Sequence, residues 1–384
     1  MKILHTSDWH LGHQLYGYDR TDEQLQMLSQ MAQIVADENP DVFLIAGDVF
    51  HISQPSATAQ KMFVNGILKI RQANPKMRII ITAGNHDSGS RHEIFRAPWS
   101  VLGVDVIGTL NFEDPSQQII KIENIGFVVA VPFVNERFIP ENYYQKLLDI
   151  VSLQNAENLP VVMMAHTTVG GADFTGHERY SENVVGGIES VELARFGTGY
   201  DYLALGHIHR GQFVHSGKRN VLYSGSPLAI SFDEDYPHSV SIVEIKNHGG
   251  VAEIHKIELE SIRPLVNLPI DGFTDWDNAK KLLKNFPQGK DAYIRLNVEV
   301  DNFLPSGAVD EARKIAESKG CRFCLINERR KRNENRGQTL SLTVSEFKEI
   351  SPVEIARRFV EEKGGTWVDD MDEMFREAMD SVLS

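Results

Sequence analysis

Short apolar or β-branched runs recur through the first two-thirds of the chain, and a polar residue with metal-binding potential comes one or two positions after each of them. The five clearest runs are Lys2–Thr6, Val42–Ala46, Ile79–Ala83, Val161–Ala165 and Tyr202–Leu205. Runs of this length, bounded by Gly or Asp, are typical of strands that are buried on both faces. The polar residues that follow them therefore lie at strand ends, where open α/β sheets place their active sites.

Helical patterns separate several of these strands. Residues 23–37, for example, place one apolar stripe along a helix: Leu25, Leu28, Met31, Ala32 and Val35. Alternating strands and helices predict an α/β fold that is built from layers. We expect this architecture over residues 1–265.

The pattern changes after about residue 265. Residues 266–345 predict a small α+β unit, whose elements are the helices Trp276–Asn285 and Ala308–Lys319 and the strands Ala292–Val300, Arg322–Asn327 and Thr339–Val344. The segments around Pro264 and Pro269 look like the connector from the first domain. The remaining residues, 346–384, form a third segment.

The third segment predicts two helices. Ser351-Pro352-Val353-Glu354 fits a capping box with proline in the first helical position, and Gly364-Gly365 ends that helix. The second helix carries an apolar stripe: Met371, Met374, Phe375, Ala378, Met379 and Val382. This stripe either packs onto its own protein or offers an adaptable, methionine-rich surface to a partner.

The composition fits a soluble globular protein, with 42% hydrophobic and 24% charged residues in a chain of 384. No stretch approaches the ~20 apolar residues that a membrane helix needs, and the N-terminus becomes polar too early for a signal peptide. The only two cysteines are Cys321 and Cys324, so we expect reduced thiols and no disulfide framework. These features predict a cytoplasmic protein.

The net charge of −14 argues at first sight against a nucleic-acid partner. However, residues 271–345 carry 14 Lys and Arg against 11 Asp and Glu, a local excess of three positive charges. Bound divalent cations would offset part of the acidity elsewhere. Charge alone therefore does not decide whether the chain binds nucleic acid.

Five motifs with metal-binding side chains follow the predicted strands. They are Asp8-Trp9-His10, Gly47-Asp48-Val49, Gly84-Asn85-His86-Asp87, the lone His166 and Gly206-His207-Ile208-His209. A spacing of two residues in an extended segment directs both side chains of a pair to one side. Carboxylate, imidazole and amide ligands together suit Mn²⁺, Fe²⁺ or Zn²⁺ better than Ca²⁺. Each motif is weak alone, but together and in this order they predict a metal centre.

These motifs resemble those of the calcineurin-like metallophosphoesterases over about residues 1–230. The longer matches are Thr6–Gly12, Ala46–Phe50 and Leu205–His209. With Gly186–Glu189 and Phe50–Ala57, they are similar, within that superfamily, to the SbcD nuclease subunits that work with the SbcC ATPase. The resemblance implies a layered metallophosphoesterase β-sandwich flanked by helices, a small capping domain and a C-terminal helical segment that binds the ATPase.

The resemblance also implies roles for individual residues. The implied metal ligands are Asp8, His10 and His209 for one ion, Asn85, His166 and His207 for the other, and Asp48 as the bridge between them. His86 would protonate the leaving oxygen or stabilise the transition state, as a histidine can near neutral pH. Asp87 would either orient a neighbouring imidazole or belong to a surface loop. The expected cofactor is a pair of divalent ions, taken to be Mn²⁺.

The activity implied by the resemblance is that of a DNA nuclease. It comprises 3′→5′ exonuclease activity on double strands and endonuclease activity on hairpins or single strands, driven by an SbcC-type ATPase in DNA repair, recombination and replication. A homodimer within a heterotetramer is the implied assembly. A stand-alone metallophosphoesterase acting on a small phosphate ester or diester is the alternative, and a catalytically dead scaffold is a third. The domain after residue 270 and the apolar terminal helix argue against the stand-alone enzyme. The intact ligand motifs and the intact His86 argue against the inactive scaffold.

Three further features carry weaker predictions. His13 and His51 adjoin ligand motifs and could touch a phosphate, although solvated loop histidines are the favoured interpretation. Cys321 and Cys324 have the spacing of half a zinc site, but a single pair does not make one. The basic cluster Arg329–Arg332 is either a solvated hairpin tip or a phosphate contact.

Overall fold

The computed structural model describes residues 1–173, 190–214 and 219–331, together with a few positions between 353 and 375. It divides into two units, Met1–Arg330 and Lys331–Ser384. Several sequence predictions lie outside the described residues: the Gly186–Glu189 motif, the strand Thr339–Val344, and most of the two C-terminal helices. In the second unit, Asp372 accepts a hydrogen bond from the Trp367 indole at 3.0 Å and pairs with Arg357 at 3.2 Å.

Two six-stranded sheets form the centre of the first unit. The first sheet contains β1 (Lys2–Thr6), β2 (Val42–Ala46), β3 (Arg78–Thr82), β4 (Val104–Ile107), β11 (Ser239–Glu244) and β12 (Glu253–Glu258). Its spatial order is β12-β11-β1-β2-β3-β4, with β1 to β4 parallel. The three strands that the sequence predicted in this sheet, Lys2–Thr6, Val42–Ala46 and Ile79–Ala83, are therefore confirmed to within one residue.

The second sheet brings the later strands together. It contains β5 (Ile119–Ile122), β6 (Gly126–Ala130), β7 (Val161–His166), β8 (Tyr202–Gly206), β9 (Gln212–Phe213) and β10 (Val221–Tyr223). Its order is β5-β6-β7-β8-β10-β9, and β6, β7, β8 and β10 run parallel. Because β1 to β3 and β7 to β8 are each parallel, their carboxyl ends can supply one shared site.

The sheets pack face to face and helices cover their outer faces. Leu44 and Ile80 of the first sheet share a core with Val128 and Met164 of the second. Helices α1 (Thr21–Glu38) and α2 (Ala57–Ala73) cover the first sheet, and α5 (Tyr143–Gln154) covers the second. The short helices α3 (Gly89–Ile94) and α4 (Arg96–Ser100) follow β3. This confirms the predicted layered α/β class.

The buried face of α1 differs from the predicted stripe at one position. Leu28, Met31, Ala32 and Val35 are buried, but Leu25 is 45% exposed. Its neighbour Gln24 is buried instead, because its side chain accepts a hydrogen bond from the backbone N–H of Gly12 and donates one to the carbonyl of His10. The hydrogen bonds of Gln24 to the loop that follows β1 therefore set the rotation of the helix about its axis.

Residues 265–330 of the first unit, which we call the small domain, have a hydrophobic core of their own. The elements of the small domain are β13 (Leu265–Leu268), α6 (Trp276–Asn285), β14 (Tyr293–Val300), α7 (Ala308–Ser318) and β15 (Arg322–Arg330). The strands form a parallel sheet in the order β13-β14-β15. The prediction of a connector around Pro264 and Pro269 was wrong in part, because the residues between them pair with β14 as a strand.

Two further predictions can be compared with the described residues. No helix among them is long and apolar enough to cross a membrane. Cys321 and Cys324 are both free thiols; Cys321 is buried and Cys324 partly exposed.

Candidate metal centre

The carboxyl ends of both sheets meet, and all seven predicted ligand residues lie there. On one side, His10 Nε2 is 3.1 Å from His209 Nε2 and 3.8 Å from Asp48 Oδ2. Potential ligand atoms of Asp8, His10 and His209 lie within 4.8 Å of one another. These three residues follow β1 and β8, so one sheet alone could not assemble them.

The other side of the site is built around Asn85. Its Oδ1 lies 3.0 Å from His166 Nε2 and 2.9 Å from His207 Nδ1. His166 Nε2 is also 3.4 Å from Asp48 Oδ2. Asp48 therefore lies between the group that contains His10 and the group that contains His166.

The donor set fits divalent cations. Asp8 and Asp48 are buried together, and no Lys or Arg among the described residues pairs with either carboxylate. Buried carboxylates without a permanently charged partner are costly, and a metal ion removes that cost. The Nδ1–H of His166 donates to the carbonyl of Ala46 at 2.7 Å, which leaves Nε2 as the coordinating atom.

The two buried carboxylates favour positive charge on the imidazole that lies closest to them. Burial alone would lower the pKa of His166, but the carboxylates of Asp48 and Asp8 raise it to about 9. Burial likewise opposes ionisation of Asp48, yet the adjacent His166 and His10 hold its pKa below the usual range. Burial keeps the pKa of His10 well below normal, so that ring is neutral and can offer a lone pair.

The backbone is strained at four of the seven residues. Asp8, His10, Asp48 and His207 have φ values of 54°, 44°, 51° and 100°. Non-glycine residues rarely adopt such angles, and they concentrate at functional sites. Hydrogen bonds from the Asp8 amide to the carbonyl of Gly47 and from the His10 amide to the carbonyl of Asp48, each 3.0 Å, hold two of these loops together.

Two positions in the motifs require glycine because atoms of neighbouring loops lie too close to leave room for a side chain. A Cβ on Gly84 would overlap the Asp48 carboxylate, and one on Gly206 would overlap the carbonyl of Ala46. Larger residues at either position would separate the loops that carry the ligands. This explains why glycine precedes the ligand in two of the motifs.

His86 lies beside the candidate ligands. Its backbone amide donates to Asp48 Oδ1 at 2.8 Å, and its ring centroid is 4.9 Å from that of His10. Its Nδ1–H donates to the carbonyl of His51 at 2.8 Å. Because Nδ1 keeps this proton, Nε2 is the atom that can exchange a proton with a substrate.

Asp87 ties two ligand loops together. Its Oδ2 accepts from the amides of Val49 and Gly84 at 3.0 and 2.9 Å, and its Oδ1 accepts from the amide of Phe50 at 2.9 Å. The imidazole of His92 is 3.5 Å away. These contacts join the loop of Asp48 to the loop of Asn85 and His86, which the sequence did not predict.

The histidines beside the motifs belong to the same cluster. His13 is buried rather than solvated, contrary to the favoured interpretation, because its ring packs 4.6 Å from that of His51. His51 is half-buried, and its ring stacks on that of His86 with 5.6 Å between the ring centroids. Burial lowers the pKa of His13 to about 2 and that of His51 to about 4.

Sequence reasoning missed Glu234. This buried carboxylate accepts from His209 Nδ1 at 2.9 Å, and its Oε2 lies 3.3 Å from the Ser226 hydroxyl. The interaction with His209 lowers the pKa of Glu234 despite burial, and Glu234 raises that of His209. Its sequence context, Asp233-Glu234-Asp235, resembles a solvated acidic loop, so no local signal marks it.

The family model for calcineurin-like phosphoesterases matches residues 1–211, a range that includes all seven candidate ligands. The SbcD component of nuclease SbcCD from Rhodobacter capsulatus is 33% identical over 300 residues, which cover 71% of this chain and 72% of the relative. The Bacillus subtilis protein of the same name is 31% identical over 336 residues, or 82% and 83% of the two chains. That of Escherichia coli K12 is 27% identical over 298 residues, 71% of each chain.

Proposed function

We propose, from the premise that this chain belongs to the calcineurin-like phosphoesterase family, that it is a metal-dependent DNA nuclease of the SbcD type. The observation that carries the proposal is the convergence of seven candidate ligand side chains from both sheets. Five of them are buried, and the other two, Asn85 and His207, lie at the more exposed side of the same site. Relatives that are named as the SbcD component of nuclease SbcCD match over most of their length. The proposed reactions are 3′→5′ exonuclease cleavage of duplex ends and endonuclease cleavage of hairpins.

The proposed cofactor is a pair of Mn²⁺ ions. Asp8, His10 and His209 would hold one ion, and Asn85, His166 and His207 the other. Asp48 would contact both, which its position 3.8 Å from His10 Nε2 and 3.4 Å from His166 Nε2 supports. When bound, such a pair supplies a water with a lowered pKa and neutralises charge on the phosphate.

The chain's own residues would orient the substrate and move the proton. Asp87 holds the two ligand loops at a fixed spacing through its three amide contacts. His86, anchored through Nδ1 to His51, would donate a proton from Nε2 to the leaving oxygen. The His51 ring stacks on the His86 ring, and the His13 ring packs against that of His51.

A substrate comparison tests the nuclease against a stand-alone phosphoesterase. Purified protein with Mn²⁺ would be incubated with a labelled hairpin duplex and with an aryl phosphodiester. We expect cleavage of the hairpin, abolished by EDTA. Turnover of the aryl ester with no cleavage of DNA, with or without the ATPase partner, would contradict the proposed function.

The basic end of β15 is proposed to contact DNA phosphates. Arg329 pairs with Glu299 at 2.9 Å and lies over the Phe273 ring at 4.3 Å, whereas Arg330 lies over the exposed Phe303. Replacing the cluster Arg329–Arg332 with glutamines should weaken DNA binding and flatten its salt dependence. The log–log slope should fall by up to about 0.9 for each phosphate contact that is lost. Arg332 lies outside the described residues.

A matched variant would remove four exposed lysines elsewhere on the first unit: Lys61, Lys76, Lys146 and Lys246. It changes the net charge equally, so its salt slope should stay at the wild-type value. Aryl diester hydrolysis should be unaffected in both variants. If the cluster variant keeps the wild-type slope, the basic cluster consists of ordinary solvated residues.

The C-terminal segment is proposed to bind an SbcC-type ATPase, in an assembly with two copies of each protein. Deleting residues 350–384 should leave a folded, metal-loaded phosphodiesterase that no longer co-purifies with the ATPase. Folding should survive because all fifteen strands of the described residues lie within Met1–Arg330. Co-purification and thermal unfolding are the two measurements. Aggregation or a large loss of thermal stability would instead assign the apolar stripe to the protein's own core.

A further inference from the structure

The segment between β10 and β11 links the metal centre to the small domain. We call residues 229–238 of this segment the anchor loop. At its centre, Glu234 is 6% exposed, and its carboxylate contacts His209 Nδ1 at 2.9 Å. The amide of Ile230 also donates to this carboxylate at 3.3 Å. One residue of the anchor loop thus reaches a proposed metal ligand.

The hydrogen bond with Glu234 fixes the tautomer of His209. A carboxylate only accepts, so the proton of the neutral imidazole lies on Nδ1 and the lone pair on Nε2. His209 Nε2 is the atom that lies 3.1 Å from His10 Nε2. Carboxylates in this arrangement orient a metal-binding histidine and increase its basicity.

The preceding residue of the anchor loop is held by the small domain. Arg295 of β14 is 6% exposed and donates to Asp233 Oδ1 at 2.6 Å and to the carbonyl of Phe232 at 3.2 Å. Its guanidinium also lies 5.3 Å from the centre of the Phe232 ring. Phe232 is buried with Leu15 and Tyr293 in a cluster that contains both domains.

We propose that the anchor loop couples the small domain to the metal centre, with Glu234 as a positioning residue for His209 and Arg295 as the attachment point. The inference rests on the proposed assignment of His209 as a metal ligand. Asp233 and Glu234 are consecutive, so the peptide between them transmits a shift of Arg295 directly to the His209 contact. The position of the small domain therefore sets the affinity for one of the two cations.

Metal affinity measured on the full chain tests the coupling. Mn²⁺ binding would be followed by calorimetry and by electron paramagnetic resonance of the wild type, Glu234→Gln and Arg295→Met. Glu234→Gln should raise the Kd of one cation by about 10- to 100-fold and leave the other unchanged. Arg295→Met should raise the Kd of the same cation by about 3- to 10-fold. Arg295→Lys, which keeps the charge, should restore part of the lost affinity.

The control is Arg78→Met. It removes a different Arg–Asp ion pair on the first sheet, in which a guanidinium nitrogen of Arg78 lies 2.5 Å from Asp105 Oδ2. It should bind both cations as the wild type does. If Glu234→Gln does not fold, Glu234→Asp keeps the charge but shortens the side chain, and should lose the same cation. Wild-type affinities in the folded Glu234 variant, equal weakening of both cations, or an unaffected Arg295→Met would each overturn the inference. A wild-type chain that binds no Mn²⁺ would overturn the proposed function and the inference with it.

Discussion

Replacing Asp48 with alanine is expected to reduce DNA cleavage by several orders of magnitude. The Asp48 carboxylate is the group that lies between the His10 and His166 sides of the centre, so its loss weakens both proposed cation positions. The variant also loses the acceptor for the His86 amide, which loosens the proposed proton donor. The measurements are the single-turnover rate on labelled duplex DNA with Mn²⁺ and the metal content of the purified variant.

An exposed carboxylate on α1, Asp37, provides the matched control. Asp37→Ala makes the same chemical change away from the centre and should cleave DNA at the wild-type rate. Wild-type cleavage by Asp48→Ala in added Mn²⁺ would contradict the two-cation proposal.

Replacing His86 with glutamine should separate proton transfer from metal binding. Because His86 is not among the proposed ligands, the variant should keep its metal while the cleavage rate falls by roughly 10²- to 10⁴-fold. Glutamine retains much of the size of the side chain but cannot act as an acid near neutral pH. Elemental analysis gives the metal content, and single-turnover kinetics give the rate.

The exposed His255 on β12 is the corresponding control. His255→Gln should retain both metal and full activity. A His86→Gln protein that is purified without metal would show that His86 is a ligand rather than the acid.

The candidate metal ligands could be proposed from the sequence because each of them lies at the end of a strand or a few residues after it. A run of apolar residues identifies a buried strand, and the parallel order of the strands brings their carboxyl ends together. The predicted run Ile79–Ala83 is one residue out of register with the observed strand Arg78–Thr82, yet Asn85 still lies at the site. Local sequence patterns are therefore enough to predict a site whose residues are gathered by the order of the parallel strands.

The supporting residues depend on contacts between distant segments, which no local pattern reveals. Glu234 is one of three consecutive acidic residues, and only its burial against His209 distinguishes it from the other two. Leu25 was placed on the buried face of α1 because it continues an apolar stripe, whereas the hydrogen bonds of Gln24 to the first ligand loop determine the rotation. Tertiary hydrogen bonds override hydrophobic periodicity in α1, as tertiary context overrides local preference in general.

Titration of the purified wild-type chain with Mn²⁺ tests the proposed centre most directly. Electron paramagnetic resonance counts the bound ions, and the spin coupling between them reports whether they share a ligand. We expect two ions per chain that are magnetically coupled through one bridging carboxylate, Asp48. A single bound ion, or two uncoupled ions, would contradict the two-cation centre.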